Sequence, residues 1–322
     1  MDSVPLGGSG LLVSPLGYGS MPLGGVYGPA SEAESMALVR HVLDSGVSMI
    51  DTSSFYGDGD VERLIGRTVR GRRDEVQLAT KFGMRGPGFG RPEKVREALH
   101  DSLRLLQSDY IDIFYLHQID PETPIEDTVG ELGSLAAEGK ITAVGLSEIT
   151  PNTLRRAHAT YPIAAVQQEY SLLARDIEAE LLPTVRELGI TLVAYSPLGR
   201  GLLTGRIRRP GDLPSDDPRR AAYPRFAGRD LARNLRAASR LFKLAEALDA
   251  TPAELALGWV MAAHMVPIPG TRSIAHFDEN IEAAVSQQDI AVTHRLSRMF
   301  PIGVASGDPY APQYQQRLDE AP

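Results

Sequence analysis

The chain has no cysteine in 322 residues, which excludes disulfides, thiolate nucleophiles and cysteine-ligated metals. Lysine is nearly as scarce: Lys81, Lys94, Lys140 and Lys243 are the only ones, against an abundance of arginine. No apolar run approaches the ~20 residues needed to span a bilayer, and Met1 to Leu16 lacks the basic start and apolar core of a secretory signal. The expectation is a cytoplasmic protein with no membrane partner. Aromatic residues make up only 6%, so the core is mainly aliphatic. A net charge of −8 and an isoelectric point near 5.5 leave no basic stripe for nucleic acid. What the chain does hold is 43% apolar residues, enough for two ordinary domains or one large α/β barrel.

Short apolar pieces around the Gly-Gly-Ser-Gly of residues 7–10 predict an N-terminal β-hairpin able to plug one end of a barrel, with Leu16–Met21 as the first strand after it. Strand and helix then alternate. Helices are predicted over Glu32–Ser45 (capped by Ser31, with Glu34 at the capping-box position), Val61–Thr68, Pro92–Leu106, Ile125–Ala137, Pro151–Thr160 and Ile177–Leu188. Between them, apolar runs end at Asp51, Lys81, His117, Ser147, Gln167 and Tyr195. The beat breaks over about residues 198–232, rich in Gly, Pro, Arg and Asp, which reads as a long functional loop, mobile until something binds beneath it. Helices resume over Leu235–Leu248 and Pro252–Ala263. Val266–Pro269 supplies an eighth strand, and helices near Ala275–Ala284 and Val292–Phe300 lead to a polar tail. Alternating elements require a parallel sheet with its helices outside. An open doubly wound sheet would carry Gly-x-Gly-x-x-Gly after its first strand, and none is present. The expected fold is therefore α/β, a single-domain (β/α)8 TIM barrel over residues 1–322, with the N-terminal hairpin and extra C-terminal helices and loops.

In such a barrel the chemistry sits at the carboxyl ends of the strands. A carboxylate or ammonium that closes a buried run is costly unless partnered. Asp51, Lys81 and His117 end three successive runs, and Tyr56 lies five residues beyond Asp51 in a loop bounded by Ser and Gly. Each alone reads as structural; together, in that order, they form a constellation. A phenol with an unperturbed pKa near ~10 stays protonated at neutral pH, and a neighbouring ammonium makes it a stronger donor. Lys81 would supply that ammonium, Asp51 would hold it charged and aimed, and His117 would donate a second hydrogen bond to a carbonyl oxygen. None of these steps needs a metal.

The four residues resemble the catalytic tetrad of the aldo-keto reductases, and the likeness extends over nearly the whole chain. It implies reduction of a small aldehyde or ketone by NADPH, with Tyr56 as acid/base and Asp51, Lys81 and His117 in support. Segments around Val144–Glu148, Val166–Ser171 and Ala194–Gly205 are similar to those that hold the nicotinamide and pyrophosphate. By that resemblance Ser147 and Gln167 bind the carboxamide, Tyr195 stacks on the ring, and Ser196, Pro197, Leu198, Gly199 and Arg200 line the pyrophosphate. Gly270, Thr271, Arg272, His276, Glu279 and Asn280 would take the adenosine end, Arg272 on a 2′-phosphate. Many members carry Asn after the serine where this chain has Glu148, and a carboxylate only accepts hydrogen bonds, so Glu148 ranks below Ser147 and Gln167 as a cofactor contact. Glu148 with Arg225, Phe226 and Asn234 leans toward the bacterial branch that includes pyridoxal reductase-like enzymes.

Two other classes fit parts of the pattern. A glycosidase would pair Asp51 with Glu62 or Glu169, but leaves Lys81 and His117 without a role. A cofactor-sensing regulatory subunit would keep the NADPH site with little turnover; the complete tetrad favours an enzyme. Tyr27, Phe55, Phe82, Gln118 and Ile119 are expected around the substrate mouth, a largely apolar pocket. The sequence leaves the substrate and the oligomeric state open.

Overall fold

In the computed structural model, which describes residues 1–84, 86–286 and 289–311, the strand–helix alternation closes on itself. A two-stranded antiparallel hairpin, β1 (Val4–Pro5) and β2 (Leu12–Val13), comes first. Eight parallel strands follow: β3 (Tyr18–Gly19), β4 (Met49–Asp51), β5 (Gln77–Phe82), β6 (Ile111–Leu116), β7 (Ile141–Ser147), β8 (Ile163–Glu169), β9 (Thr191–Tyr195) and β10 (Val266–Pro267). Each pairs with its sequence neighbour. The seam between first and last is closed by Gly17 N–H to Pro267 O at 2.9 Å and Gly19 N–H to Pro269 O at 3.3 Å. Closure needs close backbone approach, because a Cβ on Gly19 would lie 2.7 Å from the Ile268 carbonyl oxygen.

The helices between the strands are α1 (Glu32–Asp44), α2 (Asp60–Thr68), α3 (Pro92–Leu106), α4 (Ile125–Ala137), α5 (Pro151–Thr160) and α6 (Leu181–Glu187). Ser31 caps α1, accepting from Glu34 N–H as the spacing predicts. The single helix expected over Ile177–Leu188 is instead a 3-10 turn, Asp176–Glu178, followed by α6. Pro183 explains the break: it has no N–H and fits only the first turn of a new helix. The stretch expected as an unperiodic loop to residue 232 carries the four-residue α7 (Arg219–Ala222) and several 3-10 turns, and α8 (Gly228–Ala247) begins inside it. Then come α9 (Pro252–Ala262), α10 (Ile274–Val285) and α11 (Ile290–Met299). The polar tail from 312 onward lies outside the described residues.

The loop is built differently from its composition. Ile207, Leu213, Tyr223 and Phe226 are buried. Arg220 donates to the carbonyls of Pro210, Leu213 and Pro214, while Arg219 pairs with Asp217 at 2.8 Å and donates to Arg200 O at 2.9 Å. The arginines crowded in this stretch act as struts to backbone oxygens.

Alternation along β4 to β9 turns Met49, Ala79, Ile113, Tyr115, Ala143, Ala165 and Val193 into the barrel, where Leu6 and Val13 of the hairpin pack against them. Gly7 N–H donates to Thr191 Oγ1 at 2.8 Å at the start of β9, so the hairpin stoppers the amino-terminal end, as expected. Tyr115 is the largest of these inward residues, and β7 makes room with Gly145, whose added Cβ would sit 2.3 Å from the Tyr115 ring. Gly145→Ala is therefore expected to cost about 1–3 kcal/mol, the range for overpacking a core. Urea unfolding should show a lower midpoint with an unchanged slope; an unchanged midpoint would mean that the interior has slack at this level.

Candidate active site

The β4–β5 register sets Asp51 against Ala79, so Lys81, two residues on, shares Ala79's inward face. Lys81 is fully buried. Its ammonium reaches three acceptors: Asp51 Oδ1 at 2.6 Å, the Thr52 carbonyl at 2.7 Å and the Tyr56 hydroxyl at 3.3 Å. An ammonium can only donate, and it has three protons to give. The Tyr56 oxygen must therefore accept from Lys81, which leaves the phenol's own proton free to point elsewhere. Gln167 Nε2 donates to the second Asp51 oxygen at 2.7 Å.

His117 stands edge-on to Tyr56, ring centroids 6.2 Å apart. Its Nδ1 lies 3.1 Å from Ser53 Oγ. Ser53 Oγ also lies 3.4 Å from the Lys81 carbonyl, so its one proton goes either there or to Nδ1; when it goes to Nδ1, the nearer of the two, the ring proton sits on Nε2. Burial, aided by Lys81, lowers the His117 pKa well below the ordinary histidine value, so the ring is neutral. Burial presses Lys81 toward its neutral form, but Asp51 and Tyr56 outweigh it and its pKa ends above the usual lysine value. Burial raises Asp51, against the opposing pull of Lys81 and Gln167. Tyr56 is raised too. Burial, with Asp51 adding to it, exceeds the lowering by Lys81 and the weaker lowering by Arg200, so the ammonium strengthens the phenol as a donor without bringing its pKa below the ordinary value.

These groups open into a cavity of about 1250 Å³ at the carboxyl ends of the strands. Its wall includes Ser147, Glu148, Gln167, Tyr195, Ser196, Pro197, Leu198 and Arg200, and its far end includes Gly270, Thr271, Arg272, His276, Glu279 and Asn280. Of the expected cofactor contacts Gly199 alone is set back, buried behind the wall. Tyr27, Phe55 and Gln118 line the mouth as expected. Phe82 and Ile119 do not: Phe82 stacks on Phe114 at 4.8 Å in the outer core, and Ile119 is buried there as well. Phe82 occupies an outward position of β5, which faces the helices, while Ile119 turns into the core from the loop after β6. Glu62 lies on α2, buried against the outer face of β5 where it accepts from Thr80 Oγ1 at 2.6 Å, so the two-acid alternative loses one of its carboxylates.

Three cavity residues, Glu148 (φ 53°), Ser196 (φ 50°) and Arg200 (φ 54°), hold left-handed backbone without being glycine. Such strain gathers where side chains must be aimed. Glu148 accepts from the Tyr195 hydroxyl at 2.6 Å, which lies 2.8 Å from the Tyr310 hydroxyl, itself accepting from Arg200 Nη2 at 2.9 Å. Sequence reasoning missed Tyr310 and Tyr223 entirely; a tyrosine in a polar segment carries no spacing signal. Arg206, in the stretch whose composition read only as a long Arg- and Asp-rich loop, bridges to Glu279 on α10. Arg272 donates to the carbonyls of Tyr27, Gly28 and Pro29 at 2.6–3.0 Å, tying the loop after β3 to the last strand's exit. Among the described residues no cluster of three or more His, Asp or Glu could hold a metal, and no helix is long and apolar enough to cross a membrane.

Residues 15–298 match the aldo/keto reductase family. The chain belongs to the aldo-keto reductases. A probable aldo-keto reductase 1 from Glycine max is 41% identical over 320 residues, covering 96% of this chain and 92% of its own. Among solved structures, the glycerol dehydrogenase of Gluconobacter oxydans superposes with a TM-score of 0.85 at 27% identity, over 97% of this chain and 98% of that one. An aldo/keto reductase from Klebsiella pneumoniae in complex with NADP and acetate gives 0.76 at 28% identity, over the full length of both. A holo aldo-keto reductase from Bacillus halodurans gives 0.77 at 29%, over 99% of this chain and all of that one. The barrel and the oxidoreductase class follow for this aldo-keto reductase.

Burial pushes the Glu148 carboxyl up to about 7; Glu169 adds to the rise, while Tyr195 and Arg200 oppose it. The folded state therefore binds more protons here than the unfolded chain, and ionising Glu148 costs stability as pH rises from its ordinary range through about 7. Glu148→Gln keeps an acceptor for Tyr195 and removes that ionisation. It should raise the melting temperature relative to the parent more at pH 8 than at pH 5. An equal shift at both pH values would mean that Glu148 does not titrate in this window.

Proposed function

We propose that this enzyme reduces the carbonyl of a small aldehyde or ketone with NADPH, Tyr56 giving the proton to the nascent alkoxide. The observation that carries the reading is the exhausted donor set of Lys81: all three ammonium protons are taken, so the Tyr56 oxygen accepts and its proton is the one available to a substrate. Neutral His117, in the tautomer where Ser53 donates to Nδ1 and Nε2 carries the proton, adds a second donor to the carbonyl oxygen. Together the two polarise it before charge develops, as fixed donors do in an oxyanion hole.

The cavity suits the cofactor on the chemistry of its wall. Ser147 offers a hydroxyl to a carboxamide, Tyr195 a ring face held by Glu148 and Tyr310, and the far end a guanidinium at Arg272. When bound, the nicotinamide supplies the hydride. NADP in the Klebsiella pneumoniae relative supports the phosphorylated form here. Gln167, expected at the carboxamide, gives an amide proton to Asp51 and so joins the cofactor end of the site to the proton-donating end. The lean toward pyridoxal reductase-like enzymes draws no support from Arg225 and Asn234. Arg225 pairs with Glu169 at 3.2 Å, and Asn234 bonds the Arg225 and Ser306 carbonyls at 3.0 and 2.9 Å, which makes both scaffold residues.

Tyr56→Phe should lower kcat for aldehyde reduction by roughly 100-fold or more, the scale of acid catalysis, with NADPH affinity nearly unchanged. Retention of more than a tenth of the parent kcat would remove Tyr56 from this role. Cofactor binding without turnover on any carbonyl would favour the sensing-subunit alternative.

Arg272→Ala frees the loop at Tyr27–Pro29 and so should weaken both cofactors somewhat. The loss for NADPH should exceed the loss for NADH by about 1.5–3 kcal/mol, the range for hydrogen bonds to a charged group. Equal losses in fluorescence titrations would leave Arg272 as a loop anchor only.

A further inference from the structure

Two cations of the cavity wall lack a counter-ion among the described residues: Arg272, whose donors go to the carbonyls of Tyr27, Gly28 and Pro29, and Arg200, whose donors are only partly used. The left-handed backbone of Arg200, pinned by Arg219 at its carbonyl, turns the side chain inward. Nη1 donates to the Tyr223 hydroxyl at 3.2 Å and Nη2 to the Tyr310 hydroxyl at 2.9 Å, and the guanidinium lies 4.1 Å over the Tyr223 ring. These partners are neutral. The acids of that wall are committed: Glu169 to Arg225, Asp217 to Arg219, Glu148 to the Tyr195 hydroxyl. Among the described residues no carboxylate forms an ion pair with Arg200. A guanidinium enclosed by protein is costly unless an anion meets it, and two of its five donors are accounted for.

Its neighbours say where such an anion would sit. The groups acting on Arg200 are Tyr310, Tyr223, Glu169 and Tyr27, and Arg200 in turn acts on Tyr56. Tyr223 feels both Tyr27 and Tyr56. Arg200 thus belongs to the mouth that holds Tyr27 and the proton donor. The residues suited to a cofactor's adenosine end, Thr271, Arg272 and Asn280, lie on the exit of β10 and on α10. The two phenol bonds fix the side chain beside Tyr223 and Tyr310, which line the same cavity as Tyr27 and Tyr56.

We propose that Arg200 binds a carboxylate on the substrate, so that the preferred carbonyl compounds are acids: an aldehyde or ketone with an apolar or aromatic body and a carboxylate remote from the reacting group. This rests on the reading of the cavity as a carbonyl-reducing site. A guanidinium receives a carboxylate through two parallel N–H···O bonds. Tyr223 and Tyr310 hold the fork in place beforehand, so less freedom is lost on binding.

The test compares 4-formylbenzoate with its methyl ester, which differ in the charge and not in the aldehyde. The wild-type enzyme should favour the acid in kcat/KM. Arg200→Met should reduce the acid-to-ester ratio by about 10- to 100-fold, the worth of hydrogen bonds to a charged group, and Arg200→Lys should recover part of it. NADPH dissociation constants are measured alongside. A loss confined to NADPH affinity, with the ratio intact, would assign Arg200 to the pyrophosphate and overturn the proposal. So would an equal fall for both aldehydes, which would make Arg200 a support for Tyr223 and Tyr310. A second measurement needs no variant: benzoate should inhibit or displace at concentrations at least tenfold below benzamide, and equal potency overturns the proposal. If neither aldehyde turns over, the carbonyl-reducing reading fails by itself, while benzoate against benzamide, titrated into the enzyme–NADP+ complex, still decides for or against Arg200.

Discussion

The site depends on one buried ion pair. Lys81 has no exposure to solvent, and an ammonium there without a partner would give up its proton. Asp51 prevents this at 2.6 Å, and Asp51 is in turn held from across the barrel by Gln167, 116 residues away in sequence. The pair therefore exists only when β4, β5 and β8 are all in register. A slip of one residue in any of them would turn the partner out toward the helices. Fold and chemistry are bound together here: the closed barrel is what allows a carboxylate, an ammonium and an amide from three strands to meet out of water, and their meeting fixes which oxygen of the site has a proton to spare.

Much of this was legible in the sequence. Apolar runs closing on Asp51, Lys81, His117, Ser147, Gln167 and Tyr195 gave the strand ends, because a barrel delivers its chemistry there. Helices with strong start signals, Pro92–Leu106 and Pro151–Thr160, begin and end where their spacing predicts. The misreadings have separate causes. Phe82 looked like a mouth residue because it neighbours Lys81, yet inward and outward positions alternate along β5; Ile119 lies in the loop beyond β6, where strand alternation no longer sets which way a side chain turns. Pro183 split a helix whose apolar periodicity ran straight through it.

The harder cases were partners far away in the chain. Arginines 219 and 220 read as surplus charge, since nothing local shows that each will meet backbone carbonyls or an aspartate. Tyr310 is silent for the same reason: it gains meaning only beside Tyr195 and Arg200, more than a hundred residues earlier. Glu148 was flagged as a departure from the family's asparagine, and its left-handed backbone is one that asparagine tolerates well. Its use, anchoring Tyr195, could not be read from position alone.

The seam of the barrel has a consequence for stability. Residues 267 and 269, which face β3, are both prolines, so the last strand offers carbonyls to the first but no N–H in return. Along the strand backbones this junction is stitched from one side only, the return bonds coming from the Arg272 side chain at the rim. Across it, at the rim, the cavity is bordered by Tyr27 and Pro29 on one edge and by Gly270 and Arg272 on the other. Any ligand filling that end touches both lips and acts as a clasp on the most lightly sewn join of the cylinder. Its binding energy then counts directly against opening of the barrel, and the occupied protein should be markedly harder to unzip than the empty one, with the added resistance concentrated along this one line.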